Sequence, residues 1–334
     1  MNVLLTSVGR RAYMVKYFKE VLGEKGLVHV CNSDDKSIAF KYADRKVISP
    51  LIYYENYIPF LIKYCKDNEI NIIISLFDID LLMLAKHKKD FEEVGTKVIV
   101  SDPKIIEVCN DKWATNKFLT QSGFLAPRSY LKIEDVIKRI KDGCLSYPIV
   151  VKPRFGCGSI SVSIAYDEED LVYLTKKANK EITSSYLKYE SAVTEEKVIY
   201  QECLNGQEYG ADIINNLDGE TQNVIVRKKI AMRSGETDIA ELVDEPIIRE
   251  TLLKLGEATK HIANMDCDVF LVDNKPYVLE MNARFGGGYP FSHMGGCNLP
   301  QAIVSWAEGK AVSKEMISAK TGITGFKEIY ITEI

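Results

Sequence analysis

From residue 3 to residue 100 the chain alternates short apolar runs with longer amphipathic stretches. "NVLLT", "LVHVCN", "INIIISLF" and "TKVIVS" read as strands. Between them "AYMVKYFKEVLGEKG", "YIPFLIKYCKDNE" and "LLMLAKHKKDFEEVG" repeat apolar residues at helical spacing. Strands alternating with helices of this length predict βαβ units around a parallel sheet. The strands are continuously apolar, as in a sheet covered on both faces. "SDPKIIEVCND" opens a new helix, with Asp102 as N-cap and Pro103 at its first position, and "KWATNKFLTQSG" continues it to Gly123.

The pattern then changes style. "YPIVVK" is a strand, "PRFGCGS" a loop, "ISVSIAY" a second strand and "DEEDLVYLTKKANK" a helix. "KVIYQECL", "EYGADIINN", "QNVIVRKKIAM" and the hairpin "CDVFLVDNKPYVLEMN" follow, and the alternating tail "KEIYITEI" is expected to form a final strand. The switch from parallel to hairpin style places a change of domain near residue 110.

Composition narrows the function classes. The 334 residues suffice for two or three domains, and 46% hydrophobic with 27% charged residues is ordinary for a globular protein. A net charge of −4 gives no reason to expect nucleic acid or an acidic membrane as partner. "MNVLLTSVGRR" puts its arginines after the apolar run, the reverse of a secretory leader, and no apolar run approaches a membrane span. The eight cysteines are scattered, without CxxC or CxxH pairs, so reduced thiols in a cytoplasmic protein are expected. Cys157 and Cys297 lie in glycine-rich loops, where either packing or reactivity fits.

Three glycine-bearing loops carry candidate chemistry. "TSVGRR" (6–11) stands between strand and helix, where a dinucleotide fold grips pyrophosphate, with Asp34 and Asp35 at a ribose-binding position. Gly9 alone cannot replace the three glycines of that fingerprint, so an oxidoreductase reading survives only if NAD(H) binds this domain. "KPRFGCGS" (152–159) lacks a GK[ST] ending and is followed by a strand, which excludes a Walker A loop. A flap with Lys152 at its base, and Gly156, Gly158 and Ser159 at its tip, can still cover phosphates through backbone N–H groups and the hydroxyl. A hairpin tip beside a surface lysine is the competing reading. "RFGGGYP" (284–290) is either a loose link or backbone that approaches something closely.

Along "YVLEMNAR" the strand period puts Val278, Glu280, Asn282 and Arg284 on one face and Tyr277, Leu279 and Met281 on the other. Glu280 with Asn282 is oxygen-only chemistry suited to Mg²⁺ held together with substrate phosphates, and Arg284 offers its fork to a phosphoryl group. Asp268 is the best third ligand. A plain two-residue turn at "DNKP" would aim it away from Glu280, so it needs an odd loop or a bulge. An exposed strand edge is the alternative for the whole array.

The order lysine-bearing helix, lysine–glycine flap, "QECLNGQEYGADI" and "LEMNARFGG" resembles the ATP-grasp superfamily, in particular the carboxylate–amine ligases of carbamoyl-phosphate-synthase type. The likeness covers nearly the whole chain. It implies a mixed α/β and α+β fold: a Rossmann-like pre-ATP-grasp domain at 1–105, a small subdomain with the flap at 106–185, and a C-terminal subdomain with the metal site at 186–334. It implies that Lys112 and Lys152 reach the ATP phosphates and that Gly156, Gly158 and Ser159 close over them. Glu202 would accept from the adenine amino group, Leu204 would offer its backbone, and Glu208 would hold the ribose. Asp268, Glu280 and Asn282 would bind Mg²⁺, expected as two ions with Mn²⁺ as alternative, and Arg284 would meet the transferring phosphoryl.

A complete carbamoyl-phosphate synthase large subunit has two such halves, whereas a single set of motifs is present here. The implied reaction is therefore ATP-dependent ligation of a small-molecule carboxylate with an amine, ammonia or a thiol through an acyl phosphate. A kinase on the same fold, or a nucleotide-binding module without turnover, are the alternatives; a homodimer is the assembly to test. Substrate groups are expected from "TSVGRR", "FDID" (77–80) and "VRKKIAMRSGETD" (226–238). In the last, Arg227, Lys229 and Arg233 share spacing, and Arg233 is either a carboxylate clamp or part of a solvated basic edge.

Overall fold

The structure is a computed structural model that describes residues 1–156, 158 and 160–333. Ser159 and Cys157, expected at the flap tip, lie outside the described residues.

The N-terminal strands β1 (Val3–Thr6), β2 (Val28–Asn32), β3 (Arg45–Ile48), β4 (Ile72–Ser75) and β5 (Lys97–Val98) form one parallel sheet in the order β3-β2-β1-β4-β5. The central β1 and β4 are buried along their whole length, which is why their sequence reads as unbroken apolar runs. Edge strand β3 carries exposed Arg45, Lys46 and Ile48, and its polar sequence hid it from that criterion. Two expected helices are each broken in two. "LLMLAKHKKDFEEVG" yields Asp78–Lys86 and Lys88–Glu92, and the 103–123 stretch yields Pro103–Asn110 and Lys112–Gln121. Asp111 makes the second break: its backbone is extended, and its carboxylate accepts from the amide of Trp113 to cap the new helix.

A four-stranded antiparallel sheet follows, built from β6 (Ser129–Tyr130), β7 (Ile149–Pro153), β8 (Ser163–Ala165) and β9 (Val198–Glu202) in the order β6-β9-β7-β8. Strand β9 lies beyond the subdomain edge expected at residue 185 and pairs with β7, so this sheet runs to residue 202. Residues 203–206 then lead into a six-stranded antiparallel sheet. Its members are β10 (Gln207–Asn215), β11 (Thr221–Arg233), β12 (Glu236–Val243), β13 (Asn264–Val272), β14 (Lys275–Asn282) and β15 (Ile323–Phe326), ordered β14-β13-β10-β11-β12-β15. The final strand is thus β15; the described part of the tail from Lys327 onward forms no strand.

Strands β13 and β14 settle where the acids point. They are joined by a two-residue turn, Asp273–Asn274, both at positive φ, as a hairpin of this hand requires. Running from Val272↔Lys275 to Val269↔Val278, this register would set Asp268 opposite Leu279. It shifts at that point instead: Asp268 faces Glu280, and Leu279 is the extra residue of a β-bulge. The bulge breaks the alternation expected along β14. Val278 and Met281 enter the core with Val269, Cys267 and Met265, while Leu279 and Glu280 both line the cleft.

Candidate active site

A cleft of about 420 Å³ lies between the four- and six-stranded sheets. Its lining combines apolar side chains, among them Val150, Ile164, Leu187, Leu204, Phe270 and Leu279, with the charged Lys112, Lys152, Glu208, Lys229, Asp268 and Glu280. Residues Glu202, Cys203 and Leu204, where one sheet passes into the other, border it. The Glu202 carboxylate turns to Arg128, accepting from its amide at 2.7 Å and from its Nε at 2.6 Å.

The two phosphate-lysine candidates converge although they belong to different elements. Arg154, just after β7, grips Asp111 with a bidentate pair at 2.8 and 2.7 Å, and its carbonyl accepts from the amide of Lys112 at 3.0 Å. That clamp ties the start of helix Lys112–Gln121 to the end of β7, which carries Lys152. Lys112 Nζ donates to the Gly156 carbonyl and lies 3.8 Å from Glu280 Oε1. Lys152 is buried, and among the described residues its ammonium has no hydrogen-bond or ion-pair partner. Burial pushes its pKa down to about 8, with Glu280 pulling upward and Lys112 pushing down. Between that value and the usual 10.5, an unfolded chain holds a proton the folded lysine has lost, so this site's contribution to stability rises with pH.

Lys229 sits between two acids, 2.6 Å from Glu208 and 2.7 Å from Asp268. Burial disfavours its ammonium, but Asp268 and then Glu208 outweigh that and hold its pKa above the ordinary lysine value. Burial raises Asp268 to about 6 against the pull of Lys229.

Past Asp268 and Glu280 a second cavity of about 350 Å³ adjoins the first, bordered by Arg11, Arg227, Asn282, Arg284, Gly158 and Gly288 among others. Arg284 reaches back to the N-terminal domain, with Nε and Nη2 at 3.0 and 2.9 Å from Asp78 Oδ2, and its Nη1 lies 3.3 Å from Asp266. Arg227 is 1% exposed and bound at 2.6 Å by both Asp212 and Asp266.

A family model described as the PylC-like N-terminal domain matches residues 3–99, and one described as the ATP-grasp domain matches residues 109–288, more than half of the chain. The chain belongs to the ATP-grasp family. It is 24% identical over 216 residues to the carbamoyl phosphate synthase large chain of Pyrococcus furiosus, covering 61% of this chain and 19% of that one. This ATP-grasp chain thus spans about a fifth of the length of the first curated relatives it matches. It is 26% identical over 243 residues to the D-alanine–D-alanine ligase of Bacillus anthracis, covering 66% of this chain and 74% of that one. Among solved structures it resembles the biotin carboxylase domain dimer of Hydrogenobacter thermophilus 2-oxoglutarate carboxylase, in complex with MgADP, ADP and bicarbonate. That likeness has a TM-score of 0.73 at 19% identity and covers 95% of this chain and 72% of the other.

Of the residues singled out in the sequence, this ATP-grasp fold brings Lys112, Lys152, Gly156, Glu202, Leu204, Glu208, Asp268 and Glu280 to the first cleft, and Gly158, Asn282 and Arg284 to the second cavity. Arg233 stands apart. At the end of β11 it pairs with Asp238 and donates at 2.8 Å to the Lys327 carbonyl, bordering neither cavity. Cys297 is buried and burial raises its thiol pKa, so packing accounts for it. Asp266 went unremarked in the sequence, yet it joins Arg227 to Arg284. The signal was present in "MDCD": Asp266 and Asp268 alternate on β13 as Glu280 and Asn282 do on β14.

In "RFGGG" the backbone approaches the protein's own side chains closely. A Cβ on Gly286 would stand 2.1 Å from the Asp266 carboxyl carbon, and one on Gly288 would stand 2.1 Å from Arg227 Nε. The bare backbone makes room for the protein's own buried ion pair. Gly288→Ala is expected to destabilise by about 1–3 kcal/mol through overpacking; an unchanged urea midpoint would contradict this.

Proposed function

We propose that the protein is an ADP-forming ligase that joins a small-molecule carboxylate to an amine. The observation that carries this reading is the junction at Asp268 and Glu280 of two cavities. One combines apolar side chains with two lysines, and the other is lined by guanidinium groups. In this reading the apolar side chains take the adenine against the backbone of 202–204, Glu208 takes the ribose, and Lys112 and Lys152 take the phosphate oxygens.

The donor set fits Mg²⁺. Asp268, Glu280 and Asn282 would hold it through two carboxylates and an amide oxygen, hard donors of the kind that suit Mg²⁺ together with substrate phosphates. When bound, the metal supplies charge neutralisation at the phosphates. The protein contributes position. A substrate carboxylate oxygen attacks the γ-phosphorus, the bond to the β–γ bridging oxygen breaks, and ADP leaves. The amine nitrogen then attacks the acyl carbon, phosphate departs, and the nitrogen loses a proton to give the amide. Lys112, Lys152 and Arg284 balance the charge of the transferring group. The flap expected at 153–159 would exclude water while the acyl phosphate exists.

The test is an ADP-release screen over carboxylate and amine pairs with product analysis. Amide product with stoichiometric ADP and phosphate supports the ligase. Phosphate retained on substrate would make the protein a kinase, and background release for every pair would make it a binding module.

A pH profile tests the lysine. Lys152 is charged below about 8 and neutral above. The kcat/KM for ATP is therefore expected to fall about tenfold per pH unit well above that value, and Lys152→Arg is expected to remove the limb. A profile flat to pH 10 in the unmodified enzyme would contradict the role.

A further inference from the structure

Lys112 and Lys152 stand on separate hydrophobic cores. Helices Pro103–Asn110 and Lys112–Gln121 send Ile106, Cys109 and Leu119 into the core that also takes Val278 and Met281 of β14. Strand β7 sends Ile149 and Val151 into another, shared with Val198 and Tyr200 of β9. Among the described residues neither core takes a side chain from both lysine-bearing elements. Apolar packing is also non-directional, so it does not set one lysine against the other.

Polar contacts do so instead. Arg154 stays on the β7 ladder, its amide donating at 2.9 Å to the Lys197 carbonyl. From there its guanidinium donates to both oxygens of Asp111, at 2.8 and 2.7 Å, and its carbonyl accepts from the Lys112 amide at 3.0 Å. Asp111 also makes an isolated antiparallel bridge with Phe155, and its Oδ1 accepts from the Trp113 amide at 2.9 Å. One acid thus caps the helix that begins at Lys112 and anchors the chain two residues past Lys152. The paired side chains are only 15% and 14% exposed, so water and salt screen them less than a surface pair. A two-pronged bond of this kind fixes orientation as well as distance.

The charge of Asp111 has the wrong sign for a polyphosphate. Any benefit it brings to phosphate binding must come through what it holds. We infer that Asp111 and Arg154 are positioning residues for nucleotide binding, their ion pair setting Lys112 against Lys152 so that both ammonium groups meet one polyphosphate. This rests on the proposed reading of the two lysines as phosphate ligands, and not on the amide-forming step.

Full-length protein with Mg²⁺ is titrated by calorimetry with a non-hydrolysable ATP analogue and with adenosine, which has no phosphates. Asp111→Asn keeps the capping oxygen and removes the charge, whereas Arg154→Lys keeps the charge and removes the fork. Each is expected to weaken the analogue about tenfold, the size of one charge-assisted hydrogen bond. Adenosine affinity and the circular dichroism spectrum should stay as in the parent. The sign is diagnostic, because a direct charge effect would make Asp111→Asn tighten the analogue and leave Arg154→Lys unchanged. The double variant should bind no more weakly than either single, since each opens the same clamp. An analogue held as tightly or more tightly by Asp111→Asn, adenosine weakened by the same factor, or additive losses in the double variant would overturn the inference. ADP release and product analysis, run in parallel, judge ligation by themselves. A clamp effect on binding with no amide formed would sink ligation and leave the clamp standing. Amide formation with analogue binding insensitive to the clamp would do the reverse.

Discussion

Glu280→Gln is expected to lower ADP release about a thousandfold, equivalent to about 4 kcal/mol of transition-state stabilisation, while the protein stays folded. The substitution keeps the shape and removes one charge, at the point where the two cavities meet. Three consequences add. The proposed metal site loses a carboxylate, Lys112 loses its acid at 3.8 Å, and Lys152 loses the neighbour that does most to hold its proton against burial. The last is separately measurable: any residual pH limb of the variant should move to lower pH than that of the unmodified enzyme. Glu280 is only partly buried, so its thermal midpoint should change little. Equal turnover by the two proteins would show that the metal and phosphoryl assignment is misplaced.

Arg227→Met is expected to cost about 3–5 kcal/mol of stability, a large share of the ~5–15 kcal/mol that domains possess. Arg227 lies between Gly210 and Gly288 and answers two acids. Without it, Asp212, fully buried, keeps only the Ser292 hydroxyl and the Asn264 amide, which donate hydrogen bonds but no charge. Methionine fills much of the volume, so the loss reads the orphaned carboxylates rather than a cavity. Adding Asp212→Asn should recover part of it, because the uncompensated charge is then gone. Urea denaturation of the four proteins closes the cycle; a single variant as stable as the parent, or no recovery in the double, would refute this account.

Much of the architecture was legible in the chain. The parallel sheet followed from four apolar runs spaced by amphipathic segments, because a strand covered on both faces has no polar side to show. Strand β3 escaped for the same reason inverted: at the sheet edge only one flank is paired, and its arginine and lysine meet water. The break at Asp111 was hidden because both halves are good helices. What separates them is a distant partner, Arg154, which no local pattern reveals.

The sequence by itself determined which side chains are available for phosphate and metal chemistry: Lys112 and Lys152, then Glu208, then Asp268, Glu280 and Asn282 in order along the chain. Tertiary structure decided which of them meet. A bulge of one residue at Leu279 turned Asp268 onto the side of Glu280 against the parity of a two-residue turn, since a strand's period of two converts one extra residue into a change of face. It also decided what Gly286 and Gly288 accommodate, the buried Asp266 and Arg227, and which guanidinium is left without an acid. Arg233 and Arg11 are equally basic as letters. Only packing sends one to Asp238 and leaves the other facing a cavity, because charge compensation is settled among residues far apart in the chain.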